Sequence, residues 1–167
     1  MAIFDNNDED DFDFEDFNPD EYDTEEIRRE IEEEDKRVRN MPIMKKAEEI
    51  YELANAICES MDDDDPMADM TKGLMLENAL MLAPKIAGAE GGDLYPLRME
   101  NAVLIRINAK QLLTQCTSCE VFELANDEYV QLLRNAVEEF RLLFIEWTKG
   151  FDKTNVLIED EWGDLFR

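Results

Sequence analysis

Histidine is absent from this chain of 167 residues. That removes the usual general base near neutral pH and the commonest metal ligand. Positive charge is scarce: 17 Lys and Arg stand against 43 Asp and Glu, giving a net charge of −26 and a pI near 4.1. So acidic a chain repels nucleic acid and anionic membrane, and neither is expected as a partner. No run of about 18 apolar residues is present, so no membrane-spanning helix is expected. Three cysteines, Cys58, Cys116 and Cys119, are too few for a disulfide framework. The opening MAIFDNNDED has neither the basic nor the apolar region of a secretory leader, so reduced thiols in a cytoplasm are expected. Strand signals are nearly missing, and Asn155-Val156-Leu157-Ile158 is too short to count as one.

What remains is helical periodicity. From Asp127 to Phe151, apolar residues fall at Val130, Leu133, Val137, Phe140, Phe144, Trp147 and Phe151, in steps of three and four that share one face of an α-helix. Three other segments carry matching stripes. Ile43, Ala47, Ile50, Ala54, Ile57 and Met61 form a narrow seam suited to close helix packing. Asp65 is placed to cap the next helix, with Pro66 at its first position. That helix runs to about Ala87, with Leu74, Met75, Ala79, Leu82 and Ile86 inward and Pro84 bending its last turn. Gly88 to Pro96 reads as a loop. From Leu97 to about Phe122 the seam is Ala102, Ile105, Ala109, Leu112, Cys116 and Cys119, widened by Leu104 and Leu113. Asn126 is placed to cap the last helix and Gly150 to end it. Short connections make sequential helices antiparallel neighbours. The expected fold is all-α, an antiparallel up-down four-helix bundle over residues 41–151.

The N-terminal 40 residues carry 18 acidic and 5 basic side chains, half of the net charge in a quarter of the length. Residues 1–23 are expected to be disordered alone. Residues 24–39 read as a charged helical arm, supported by the (i, i+4) pairs Glu25–Arg29, Glu32–Lys36 and Glu33–Arg37. Met41-Pro42 ends or bends that arm. Within the head, Asp11-Phe12-Asp13-Phe14-Glu15-Asp16-Phe17 alternates acid with aromatic, the pattern of a binding segment, where a merely solubilising tail has little need of Phe. The C-terminal tail, residues 152–167, again mixes acids with aromatics, including Trp162 and Phe166. The partner-binding candidates are therefore Asp11, Phe12, Asp13, Phe14, Asp16, Phe17, Trp162 and Phe166, and the implied partner is a basic protein surface.

Chemistry-bearing constellations are thin. Glu48, Glu49 and Glu52, followed by Asp62, form an EExxE and an ExxD that could hold Mg²⁺ through oxygen ligands. All-α nucleotide pyrophosphohydrolases of the MazG type carry these motifs on two successive helices, whereas here both lie on one. Glu90 to Asp93 offers another ExxD in a glycine loop. A structural zinc site wants four ligands, and Cys58, Cys116 and Cys119 supply three at most; on an apolar seam they read as buried core thiols. No metal, cofactor or catalytic residue is expected. An Mg²⁺-dependent hydrolase using Glu48, Glu49, Glu52 and Asp62 stands as the alternative, with acidic mimicry of nucleic acid as a third reading.

Lys45 to Ile57 (KKAEEIYELANAI), Gly73-Leu74, and Glu77 to Gly92 (ENALMLAPKIAGAEGG) resemble the first two helices of the four-helix bundle family of 23S rRNA intervening-sequence proteins. Ala79, Pro84, Ile86-Ala87-Gly88 and Glu90-Gly91 approximate its second-helix pattern. Lys85 stands where that family has asparagine, and the spacing is one residue short. The resemblance covers about residues 44–151. It implies an antiparallel bundle that assembles into homo-oligomers. Basic relatives bind nucleic acid, but the net −13 of this chain beyond Asn40 does not fit that activity. The expected function is that of a non-enzymatic interaction or adaptor protein.

Overall fold

The computed structural model describes residues 24–156, and among them every regular element is helical. The helices are α1 (Thr24–Arg39), α2 (Pro42–Glu59), α3 (Pro66–Glu90), α4 (Tyr95–Val121) and α5 (Asp127–Lys149). The chain divides into two units, Met1–Lys36 and Arg37–Arg167. In the first, residues 24–36 form the greater part of α1, with every side chain exposed. Its apolar Ile27 and Ile31 remain in solvent. Arg29 Nε donates to the Glu25 carbonyl at 3.3 Å, so that side chain serves the backbone.

In the second unit, α2 packs on α3, α3 on α4, α4 on α5 and α5 back on α2, a closed cycle of contacts. Each helix contributes its stripe to one core. Ile43, Ala47, Ile50, Ala54, Ile57 and Met61 are all buried, as are Val130, Leu133, Val137 and Phe140. From α3 come Met75, Ala79, Leu82 and Ile86, and from α4 Ala102, Ile105, Leu112, Cys116 and Cys119. Alanines recurring among these positions let helix backbones approach closely. At Gly88 the approach is closer still, because a Cβ there would lie 3.2 Å from Asn101 Oδ1 on α4.

The helix ends follow local chemistry. Asp65 accepts a hydrogen bond from the Met67 N–H at 2.8 Å, with Pro66 in the first turn. Asn126 does the same for Glu128 at 2.8 Å. These caps satisfy donors that the first turn leaves unpaired. α4 ends without glycine: Glu123 takes the left-handed conformation (φ 54°), and the Leu124 N–H reaches back to the Cys119 carbonyl at 3.0 Å. This is the Schellman closure, with a non-glycine residue bearing its strain.

Three boundaries and faces differ from the sequence reading. α3 continues past Pro84 to Glu90, and α4 begins at Tyr95, so the expected loop from Gly88 shrinks to residues 91–94. Leu74 and Leu104 are exposed at 42% and 40%, since one stripe per helix already fills the space between neighbours. Phe144 and Trp147 are only half-buried: Phe144 lines an open trough against α4, and Trp147 turns its indole N–H to Glu90.

A comparison of adjacent leucines tests this core. Leu133 is fully buried and Leu132 is 50% exposed. Leu133→Ala is expected to lower unfolding free energy by roughly 2–5 kcal/mol, and Leu132→Ala by no more than about 0.5 kcal/mol. Urea titration followed by circular dichroism measures both.

Candidate functional site

The partner-binding residues read from sequence, Asp11, Phe12, Asp13, Phe14, Asp16, Phe17, Trp162 and Phe166, lie outside the described residues, as does the expected disorder of 1–23. The alternative metal ligands are described. Glu48, Glu49 and Glu52 are exposed on α2, and Asp62 is exposed in the turn that follows it. Glu49 accepts from Lys46 Nζ at 2.5 Å, while Asp62 accepts the Asp64 N–H at 2.9 Å. Among the described residues, no three acidic or cysteine side chains converge as a metal-holding group.

The three thiols are buried, as their place on the seam implies. Burial pushes Cys58 and Cys119 up to about 11 and Cys116 up to about 12. They stay protonated at neutral pH, and a protonated thiol is a poor nucleophile or metal ligand.

Glu90 is the residue the sequence reading misplaced. Far from being a solvated loop acid, it closes α3 with a side chain only 5% exposed. One carboxylate oxygen accepts from Arg98 Nη2 and from Trp147 Nε1, the latter at 2.8 Å. The other accepts from Arg37 Nη2 at 2.7 Å. Arg98 stacks its guanidinium 4.1 Å over the Phe151 ring, and Phe151 meets Trp147 edge-on at 4.8 Å between centroids. Cation–π and edge-to-face contacts thus enclose a charge pair. Just beyond α5, the Asn155 carbonyl accepts the Tyr95 N–H at 2.8 Å, and Asn155 Nδ2 donates to the Asp93 carbonyl at 3.1 Å. The cluster joins the ends of α3 and α5 to the start of α4. The one forewarning in the sequence was an acid beside glycines with an arginine eight residues on.

A second feature is a surface trough between α4 and α5. Ala109 and Leu113 of α4 and Val137, Phe140 and Phe144 of α5 line a cavity of about 330 Å³. Arg106, Lys110 and Arg141 stand among its lining residues, with Glu138 bound to Arg141 at 2.6 Å. A pocket of this size and apolar lining can take a few side chains of a partner. No family model matches this sequence, and no curated protein does.

Glu90→Gln is expected to cost about 3 kcal/mol or more, since it strands the Arg98 charge in a nearly dry cluster. Glu138→Gln, on an exposed pair, should leave stability nearly unchanged. Urea midpoints of the two variants check the contrast.

Proposed function

We propose that this chain is a non-enzymatic interaction or adaptor protein. In this reading α2 to α5 form an up-and-down, antiparallel four-helix bundle that serves as scaffold. The closed cycle of helix contacts and the short connections between the helices support that topology. The acidic–aromatic segments do the recognising. Phe12, Phe14 and Phe17 insert into a basic, apolar-lined surface, and Trp162 and Phe166 supplement them. Asp11, Asp13 and Asp16 supply encounter rate and selectivity more than affinity.

One observation carries this reading: four Phe and half the net charge are gathered within the first 40 residues, apart from the stripes that build the core. Apolar side chains set among like charges, away from the sequence stripes that build a core, favour cover by a partner. The resemblance to the intervening-sequence proteins adds self-association to the reading. The exposed positions of Glu48, Glu49, Glu52 and Asp62 give the hydrolase alternative no added support.

Affinity capture from source lysate tests the assignment. Full-length protein should retain a basic partner at moderate salt. The triple variant Phe12→Ala/Phe14→Ala/Phe17→Ala, with its charge unchanged, should retain less than a tenth as much. Equal capture by the variant removes these residues from the site.

A further inference from the structure

From Asn101 to Cys119 the chain contains no Asp or Glu, in a protein that has 43 of them. That stretch is most of α4, and its two cations, Arg106 and Lys110, both line the trough against α5. They sit one helical turn apart, where like charges repel. Neither has an ion-pair partner among the described residues, whereas Arg141 is held by Glu138 and Arg134 by Glu120. The trough continues past Leu113 into a shallower hollow of about 500 Å³ that reaches Val121 and Phe122. Its two ends, Arg106 and Val121, are therefore about 22 Å apart along the helix axis.

We propose that this trough receives the Asp11-Phe12-Asp13-Phe14-Glu15-Asp16-Phe17 segment of a second copy of the chain, two copies exchanging segments reciprocally. The inference rests on the reading of that segment as a docking element and names the surface it docks on. Charge favours the match, because four acids meet two cations that lack partners. Chemistry favours it too, since three Phe meet a channel walled by Leu113, Val137, Phe140 and Phe144. Length agrees as well: seven residues of extended chain span about 23 Å. The segment precedes α1, a helix of 16 residues and about 24 Å, and that reach suits a neighbouring molecule. Two chains of net −26 repel at long range. At about 0.15 M salt this repulsion is screened beyond roughly 8 Å, while pairs in contact persist.

Sedimentation equilibrium on the full chain decides it, using three proteins at that salt. One is the wild type, one the Phe12→Ala/Phe14→Ala/Phe17→Ala variant, and one the Arg106→Glu/Lys110→Glu variant, whose two sites are exposed and whose helicity is checked by circular dichroism. Wild type should approach twice the chain mass of 19.5 kDa as concentration rises. Each variant alone should stay at the single-chain mass. An equimolar mixture of the two variants should regain the heavier species, because one intact segment then meets one intact trough. A wild type that stays single, or a mixture that does, overturns the proposal; docking within one chain would give the first result. A trough variant that associates like wild type also overturns it, yet leaves the Phe segment as a docking element if the Phe variant alone fails to associate.

Discussion

Scarcity of positive charge governs how these helices can lie together. Of the helices in the cycle, α2, α3 and α5 carry more acidic than basic side chains and α4 the reverse, and each seam holds one cation that meets acid or carbonyl from the neighbouring element. Lys46 of α2 reaches Glu139 of α5 at 2.5 Å. Lys72 of α3 reaches Asp63 and, at 3.1 Å, the Met61 carbonyl beyond the end of α2. Arg98 of α4 meets Glu90 of α3, and Arg134 of α5 grips Glu120 of α4 with two nitrogens and Thr117 with one of them. The three exposed pairs, to Glu139, Asp63 and Glu120, contribute little each, so the apolar core supplies the stability. What the cations contribute is a partner for acid or carbonyl at each seam where two helices touch. The physical signs agree: hydrogen bonding to Glu139 and Glu49 raises the Lys46 pKa, and Arg134 lowers that of Glu120.

Arg98 and Glu90 differ from the other three seams because they are nearly dry. A buried charge pair is a poor source of net stability but a strict one for geometry, since either charge left alone is costly. Here the pair brings with it Trp147, Phe151 and Arg37, and so fixes where α3 stops, where α4 starts and where the chain leaves α5. The close approach of Gly88 to Asn101 lies two residues from that pair on α3, which is what lets α4 come near enough to deliver Arg98.

Most of the helical layout was legible because it rests on repetition. The 4-3 spacing of Ile43 to Met61 is all buried, and the Asp65 and Asn126 caps form as their residue types imply. Legibility failed where one residue's surroundings, set by distant parts of the chain, outweighed its local signals. Three glycines near Glu90 suggested a long loop, yet the pull of Arg98 and Arg37 on its carboxylate keeps α3 helical to that residue. Leu74 and Leu104 fit the apolar stripe but face outward, because periodicity gives a face's direction and not its width. Arg106 and Lys110 gave no sequence signal at all as single residues; the long acid-free stretch around them did, once α5 stood beside it. The terminal residues proposed to dock lie outside the described residues.

A chain that builds its core from α2 to α5 and leaves residues 24–36 exposed divides into a packed part and a solvated part along its length. Residues 24–36 are exposed throughout, while every helix of the second unit has a buried stripe. Amide hydrogen exchange on the full chain, read by mass spectrometry, tests that division most directly. The division predicts slow, common exchange across α2 to α5, including residues 86–90 and the first turns of α4, with residues 24–36 exchanging at least a hundredfold faster. Equal protection of residues 24–36 and α5, or rapid exchange around Glu90, would contradict it.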